Sequence, residues 1–174
     1  MLLFLVLAFS LPVAIGLYLY SGHRFAGGQG HGELIQPPRS LGPATALEWR
    51  GKWHLVYVSG AACDASCRNA LRVMRQLHVS LAKDIDRLQR AWVIDGVAPD
   101  GAIAALRQQY PDLQVLNGGS EFARHFDAGM TGPAVGRLYL VDPLGNLMMR
   151  YPPDVDPYGI RKDLMRLLTY SWTG

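Results

Sequence analysis

The sequence is poor in cysteine, in clustered basic residues and in charge near its N-terminus, and each shortage narrows what the protein can do. Its 174 residues include only two cysteines, Cys63 and Cys67, so any thiol chemistry is confined to one place in the chain. The net charge is only +3 and no block of lysine and arginine occurs, which argues against binding to nucleic acid. No internal repeat is present, and the length suffices for one domain with an ordinary core.

The first twenty residues carry no charged side chain and are almost all apolar. A helix of this length is about long enough to cross the hydrocarbon core of a bilayer. A cleaved signal peptide is the alternative, but it requires a basic start and a small-residue cleavage site, and neither is found here. The sequence therefore predicts an N-terminal transmembrane helix over residues 1–20, which acts as a single-pass membrane anchor.

Residues 21–46 contain six glycines and three prolines but few large apolar side chains. A segment of this composition buries little surface, so we predict a linker or wrapping segment ahead of a folded domain over residues 47–174. Its most specific part is residues 32–39, where Leu34 and Ile35 can pack on the domain. The two prolines of this part favour an extended chain.

The stretch from Trp53 to Leu88 joins an apolar run to an amphipathic pattern, with both cysteines between them. Residues 53–59 are mostly apolar, β-branched or aromatic, which is typical of a buried strand. From Cys67 to Leu88 apolar residues recur at helical spacing, so a helix is predicted there. Cys63 and Cys67 therefore lie where the end of a strand passes into a helix N-terminus. Their spacing of four places both on one side of the first turn.

Further strands and helices alternate along the rest of the domain. Strands are predicted at residues 90–95, 113–116, 138–142 and 147–151, and helices at residues 102–109, 120–126 and from 156 or 157 onward. The order β-α-β-α-β-α-β-β-α implies an α/β fold, with a central sheet that contains parallel pairs and helices on both faces. A final hairpin and helix, after a cysteine pair at a strand-to-helix turn, form the thioredoxin-like arrangement.

The cysteine pair has three interpretations. Two buried thiols can simply pack as small hydrophobic side chains. Alternatively, a helix N-terminus stabilises a thiolate and favours thiol–disulfide exchange, which Arg68 would assist and Asp64 would oppose. The third interpretation is a Cu(I) site, because Cu(I) prefers sulfur ligands and a low coordination number. A purely structural disulfide is disfavoured, because a bridge between residues four apart closes a very small loop.

A Cu(I) site would need a third ligand from elsewhere in the chain. The candidates are His125, near the end of a short predicted helix, and Met130, in the glycine-rich loop that follows. Each also has a plainer interpretation, as a surface histidine and as a methionine that fills a packing gap. The other four histidines are in the predicted linker, near the start of the first strand or far along the first helix, and are unsuited by position.

The chain resembles the Sco/SenC family of membrane-anchored, thioredoxin-like proteins, which support copper-site assembly in cytochrome c oxidase. The resemblance rests on the N-terminal anchor, on the C-x-x-x-C spacing of Cys63 and Cys67, and on the segment Leu138–Asn146. That segment is similar to the family's Y-L-x-D-P-x-G-x strand and turn. Residues 32–39 also look like the lead-in of small proteins that accompany oxidase-assembly and haem A synthesis factors in proteobacteria.

One element of the family's copper site is absent from this chain. The family places a histidine, its third copper ligand, in an Asp-His pair just before the Y-L-x-D-P strand. In this chain residues 132–137 read Gly-Pro-Ala-Val-Gly-Arg, so only the two thiolates can be carried over. Gly132–Pro133 is instead similar to the proline that thioredoxin-like oxidoreductases place beside their cysteines, often in cis.

The resemblance implies a thioredoxin-like domain on the periplasmic side of the bacterial inner membrane, with a role in cytochrome c oxidase biogenesis. Within that role we predict thiol–disulfide exchange, with Cys63 as the attacking thiolate and Cys67 as the resolving one. The expected partner is an oxidase subunit or another assembly factor. A Cu(I) chaperone that uses the same cysteines, and an assembly partner whose cysteines do no chemistry, are the alternatives.

Overall fold

The computed structural model describes residues 9–18, 30–42, 48–117, 119–127 and 133–171. The chain divides into two compact units, Met1–Gly30 and His31–Gly174. In the first unit, residues 9–18 are helical. Among the helices of the described ranges, none is both long enough and apolar enough to cross a membrane. The predicted anchor over residues 1–20 falls partly outside those ranges, so it stays a prediction.

The second unit is built on a six-stranded sheet. Its strands are β1 (Glu33–Ser40), β2 (Trp53–Gly60), β3 (Leu88–Asp95), β4 (Leu113–Leu116), β5 (Arg137–Val141) and β6 (Asn146–Tyr151). Its helices are α1 (Ala65–Val79), α2 (Asp100–Gln109), α3 (Gly119–Asp127) and α4 (Pro157–Tyr170), and a 3₁₀ turn covers Ala82–Arg87. The strand order is β1-β6-β5-β2-β3-β4. This mixed sheet confirms the predicted α/β, thioredoxin-like architecture.

Strand β2 lies inside the sheet and leads directly to the cysteines. It pairs in parallel with β3 and antiparallel with β5, while β4 extends the parallel part beyond β3. Every residue of β2 except Gly60 is buried, because both faces of the sheet are covered. The C-terminal ends of the three parallel strands share one edge of the sheet, and this is the edge where binding sites form in α/β proteins.

The two faces of the sheet carry separate cores. On one face, α1, α2 and α4 cover side chains such as Leu55 and Trp92, and Leu164 of α4 is 1% exposed. On the other face, α3 places Phe126 against Tyr139, with 5.1 Å between the ring centroids. The prediction of helices on both faces is therefore confirmed.

Helix α1 is shorter than the sequence predicts. The amphipathic spacing continues to Leu88, but the helix ends at Val79 with Ser80 as its C-cap. The Ser80 hydroxyl donates to the carbonyl of Leu77 at 2.7 Å. Ala82 has a positive φ of 50°, which a right-handed helix cannot contain. The prediction of helix up to Leu88 is therefore wrong, and Leu88 is the first residue of β3.

Strand β1 was not predicted from the sequence, which suggested a linker or wrapping segment there. It pairs antiparallel with β6 at the edge of the sheet, with a shift of register between Leu34 and Arg39. Its two prolines lie within that shift. Proline has no N–H to donate to a neighbouring strand, and an edge strand tolerates this because it has a neighbour on one side only. Ile35 and Leu41 are buried, at 8% and 2% exposure. The second unit spans His31–Gly174 and so includes this strand.

Candidate functional site

The two cysteines lie where β2 gives way to α1, at the edge where the parallel strands end. A short turn, Ala61–Ala62, follows the strand, and Cys63 comes next. The sulfur atoms of Cys63 and Cys67 are joined in a disulfide, with the two Cα atoms 5.1 Å apart. The structure thus brings together the two residues that the sequence singled out.

Asp64, between the cysteines, is the N-cap of α1. Its backbone is extended, and its Oδ1 accepts a hydrogen bond of 2.8 Å from the backbone N–H of Cys67. Cys63 therefore precedes the helix, whereas Cys67 lies in its first turn. A capping carboxylate satisfies one of the free N–H groups of the helix. The sequence interpretation saw only an opposing charge at Asp64 and missed this structural role.

The two sulfurs differ in their access to solvent. Cys63 is partly buried, whereas Cys67 is 1% exposed and belongs to the core beneath α1. Exchange proceeds by in-line attack of a thiolate on a sulfur atom, so access decides which sulfur a partner can reach. Cys63 is thus the more accessible residue of the pair, and Cys67 lies within the core.

Two polar side chains lie close to the bridge. Arg68 Nη1 donates to the carbonyl of Cys63 at 2.9 Å, which holds a positive charge beside the cysteine and favours a thiolate when the bridge opens. Burial raises the pKa of Tyr57, the charge of Asp64 raises it further, and a hydrogen bond with Ser66 opposes them. The Tyr57 phenol is therefore protonated at neutral pH and can act as a hydrogen-bond donor.

A groove of about 230 Å³ adjoins the first turn of α1. Its walls include Tyr57 and Leu138 of the sheet, Ser66 of α1 and the Pro152–Pro153 turn before α4. The groove is large enough to receive a side chain of a partner, and Ser66, which lies between the two cysteines in sequence, is one of its walls. Sequence reasoning missed it, because its walls come from opposite ends of the domain. The proline pair was the one local signal, and the sequence interpretation used it only to end a strand.

The loop before β5 approaches the end of β2. The N–H of Gly136 donates to the carbonyl of Val58 at 2.8 Å, and its positive φ of 84° is one that glycine adopts freely. Arg137 Nε donates to the carbonyl of Pro133 at 3.1 Å. The described part of this loop carries no histidine. Gly132, and with it the predicted resemblance of Gly132–Pro133 to the oxidoreductase proline, lies outside the described residues.

Of the two further candidate copper ligands, the structure describes only His125. His125 is exposed on α3, on the face of the sheet opposite α1, and its ring centroid lies 6.0 Å from that of Phe122. Met130 lies outside the described residues. In the described part of the chain, no three histidine, cysteine, aspartate or glutamate side chains are placed to hold a metal ion together. The cysteines alone offer Cu(I) two of the soft sulfur donors that it prefers.

Comparison with known proteins identifies the fold family of this domain. Residues 53–171 match the family described as "Transmembrane-like, thioredoxin-like, C-terminal domain". No curated protein sequence matches the chain.

Solved structures with the same fold include both Sco proteins and thioredoxin-like oxidoreductases. Yeast Sco1 with copper bound is 14% identical, with a TM-score of 0.59 over 82% of this chain and 91% of that one. A thiol:disulfide interchange protein of the thioredoxin family from Chlorobium tepidum is 14% identical, with a TM-score of 0.56 over 82% and 99%. BsSco, a member of the Sco family of cytochrome c oxidase assembly proteins in which a disulfide switch was identified, is 16% identical, with a TM-score of 0.54 over 72% and 85%. The chain is thus Sco/SenC-like in fold, and the low identities agree with the divergence seen in its sequence.

Proposed function

Because this chain belongs to the transmembrane-like, thioredoxin-like C-terminal domain family, we propose that it performs thiol–disulfide exchange during assembly of the copper site of cytochrome c oxidase. The observation that carries the proposal is the Cys63–Cys67 disulfide at the N-terminus of α1, with one accessible and one buried sulfur. The fold likeness to BsSco, an oxidase assembly protein with a disulfide switch, supports both the chemistry and the setting.

The exchange runs in two steps from the reduced pair. The Cys63 thiolate attacks a disulfide of the partner, forms a mixed disulfide and releases one partner thiolate. The Cys67 thiolate then attacks the Cys63 sulfur, closes the bridge seen here and releases the second partner thiolate. Two electrons pass from the cysteine pair to the partner, whose copper-site cysteines become free to bind metal. A further dithiol must reduce the Cys63–Cys67 bridge before the next turn.

The setting of this exchange is the periplasmic side of the bacterial inner membrane. The apolar, uncharged residues 1–20 support a single-pass anchor, and the described part of that stretch is helical with its large apolar side chains exposed. A disulfide forms and persists in an oxidising compartment such as the periplasm. The partner would be an oxidase subunit or another assembly factor that carries a cysteine pair.

A second candidate is copper carriage by the same two sulfurs. It is favoured by the fold likeness to yeast Sco1, whose solved structure holds copper. Cu(I) would here be cargo, bound by Cys63 and Cys67 in their reduced form, with Met130 or His125 as the remaining candidate donors. A third candidate is an assembly partner whose cysteines do no chemistry.

The exchange is tested with the full chain, purified in detergent and reduced, and an oxidase subunit whose copper-site cysteines are disulfide-bonded. We expect the subunit to gain two thiols while the Cys63–Cys67 bridge forms, as counted by alkylation and mass spectrometry. Cys63→Ser should be inert, and Cys67→Ser should stop at the mixed disulfide. Rescue of oxidase activity in a deletion strain by the Cys63→Ser/Cys67→Ser double variant would overturn the proposal and favour the assembly partner without thiol chemistry.

Titration of the reduced chain with Cu(I) separates exchange from copper carriage. Weak binding, outcompeted by a Cu(I) chelator, is expected if exchange alone is the function. Tight binding of one Cu(I) per chain that disappears in Cys63→Ser would establish the carrier and exclude exchange as the sole role.

A further inference from the structure

Helix α1 carries a row of arginines that begins at Arg68, the residue directly after Cys67. Arg68, Arg72 and Arg75 are all exposed and lie on one face of the helix, over about 10 Å of its length. We call these three residues the arginine stripe. The helix contains no aspartate or glutamate, so nothing on α1 itself neutralises the stripe.

The arginine stripe borders a groove between α1 and the end of α2. One depression, of about 570 Å³, is lined by residues that include Arg72, Arg75, Gln109 and Tyr110. A second, of about 270 Å³, reaches from Arg72 to Arg68 and shares Gln109 and Tyr110 with the first. The two depressions therefore form one continuous path along the stripe toward the disulfide.

The arginines are held in place by neutral groups. Arg72 Nη2 donates to Asn69 Oδ1 at 2.6 Å, Arg68 donates to the carbonyl of Cys63, and the Arg75 guanidinium lies 6.0 Å from the centroid of the Tyr110 ring. These contacts fix the positions of the guanidinium groups, and all three partner groups are electrically neutral.

One carboxylate near this face, Asp112, is already engaged. Asp112 forms an ion pair with the buried Arg90, and its other oxygen lies 3.5 Å from His78 Nδ1. Its negative charge is therefore directed at Arg90 and His78 and away from the arginine stripe. The groove thus offers several guanidinium groups to an anionic ligand, and guanidinium groups bind carboxylates with paired hydrogen bonds.

We propose that the arginine stripe docks an acidic segment of the partner protein and so brings the partner's cysteine to Cys63. This inference rests on the proposed function, because it assigns the chemistry of the partner that exchanges with the same disulfide. A groove with the buried Tyr110 ring in its wall suits an extended peptide, whereas a lipid surface would need a flat or convex patch. Arg68 links the groove to the site, since it lines the groove and donates to Cys63.

Docking acts before the covalent step and adds no reactant to it. The acidic segment lies along the arginine stripe, the partner's disulfide meets Cys63, and the two-electron exchange then proceeds as described above. Opposite charges raise the rate of encounter, and salt weakens them, since the Debye length is about 10 Å at 0.1 M ionic strength.

The test uses the reduced full chain, reconstituted in nanodiscs of phosphatidylcholine, and two synthetic peptides. Each peptide carries one cysteine in a mixed disulfide with thionitrobenzoate, followed by a run of glutamates in one peptide and of glutamines in the other. Attack by Cys63 releases coloured thionitrobenzoate, which gives the rate. We expect the glutamate peptide to react about tenfold faster at low salt, with the difference shrinking as salt is added.

Two double variants test whether the preference for the glutamate peptide depends on the arginine stripe. Arg72→Glu/Arg75→Glu should abolish the preference for the glutamate peptide while the rate with the glutamine peptide stays, which also shows that the variant is folded. The matched control is Lys162→Glu/Arg166→Glu, an equal charge change at two exposed positions of α4, and it should keep most of the preference.

Three other results would count against the inference. Equal rates for the two peptides with the unaltered chain would overturn it, while exchange itself would stand. Absence of reaction with both peptides would instead overturn the proposed exchange and the inference with it. If phosphatidylglycerol in the nanodiscs slowed hydrogen exchange of α1 and removed the preference, the stripe would be a lipid contact and the partner segment would be excluded.

Discussion

Asp64 accepts a 2.8 Å hydrogen bond from the backbone N–H of Cys67, so the residue between the two cysteines also fixes the start of α1. The cap and the redox pair share one backbone segment. Opening of the bridge therefore leaves the first helical turn in place, because the hydrogen bond from the Cys67 N–H to Asp64 does not depend on the disulfide. This relationship suggests that the reduced pair keeps the geometry of the oxidised one.

Replacement of Asp64 separates its capping role from its charge. Asp64→Ala should lower the free energy of unfolding by about 1 kcal/mol, since an uncapped helix start leaves an N–H group without a partner. Asp64→Asn should keep the cap at nearly full stability. Because it also removes a negative charge next to Cys63, alkylation of the reduced chain by iodoacetamide at acidic pH should be about threefold faster. Urea unfolding and the alkylation rate measure the two effects.

The two Asp64 variants control each other. If Asp64→Asn were as unstable as Asp64→Ala, the charge and not the hydrogen bond would hold the helix start. If neither variant changed the alkylation rate, the carboxylate would have no electrostatic effect on the Cys63 thiol.

A buried histidine far from the disulfide makes the stability of the domain depend on pH. His54 is 1% exposed, stacks on Trp49 with 4.4 Å between the ring centroids, and its Nδ1 lies 3.1 Å from the carbonyl of Lys52. Burial lowers the pKa of His54 to about 4, against the opposing effect of hydrogen bonds to the Lys52 carbonyl and the Gln89 side-chain oxygen, which raise it. The unfolded chain takes up this proton near pH 6.5, whereas the folded chain does not until about pH 4.

Acidification from pH 6.5 to about pH 4 should therefore destabilise the fold through His54. The unfolded state binds more protons across this window, so the free energy of unfolding falls as the pH falls. The loss should be on the order of 3 kcal/mol, and His54→Phe, which keeps an aromatic ring on Trp49, should remove most of it. Thermal unfolding at a series of pH values is the measurement.

Strand β2, the cysteine turn and the start of helix α1 could be predicted from the sequence because each shows a local pattern of residues. Residues 53–59 are a continuous apolar run, and the first half of α1 has the spacing of a buried helix face. The end of α1 could not be predicted, because the apolar spacing continues past Val79 while the positive φ of Ala82 breaks the helix. Spacing reports which side chains are buried, but it does not report the backbone angle at one residue.

The features that the sequence did not yield depend on contacts between distant parts of the chain. Strand β1 forms because it pairs with β6. Its two prolines argue against a strand when the segment is considered by itself. The groove beside the disulfide and the path along the arginine stripe each join elements that are far apart in sequence. Patterns within a short window cannot reveal such neighbours, although the arginine spacing on α1 was visible.

Arg90 is fully buried and depends on one carboxylate. It donates to Asp112 through Nη2, and its guanidinium lies 5.9 Å from the centroid of the Tyr110 ring. Within the described residues, Nε and Nη1 of Arg90 have no hydrogen-bond partner. Burial alone would raise the pKa of Asp112, but the Arg90 guanidinium outweighs it and holds that pKa below its usual range.

Loss of the Asp112 charge should therefore leave the buried Arg90 guanidinium without a negatively charged partner. Asp112→Asn should lower the free energy of unfolding by about 2 kcal/mol, a value that allows for the exposure of the Asp112 side chain. Arg90→Met combined with Asp112→Asn should recover most of this loss, because no buried charge then lacks a partner. Urea unfolding of the two single variants and the double variant gives the coupling energy. Additive effects would mean that water, and not Asp112, compensates Arg90.

Asp163 of α4 connects the start of the second unit to its last helix by hydrogen bonds. Its Oδ2 accepts hydrogen bonds from the N–H groups of His31 and Gly32, at 2.8 and 3.2 Å, and its side chain is only 8% exposed. The His31 ring packs so closely on Gly159 that a Cβ there would lie 2.6 Å from it. β1 follows directly, so this contact is the first tertiary restraint on that strand.

Asp163→Ala should therefore release β1 before the rest of the sheet. The loss of two hydrogen bonds to a carboxylate should weaken the local structure by about 2–3 kcal/mol, so amide hydrogen exchange in β1 should be about 30- to 160-fold faster. Exchange in β2 should change far less, because that strand is paired on both sides. Asp154→Ala, at an exposed turn position before α4, is the control. Equal acceleration in β1 and β2 would mean that the sheet opens as one unit and that Asp163 stabilises all of it.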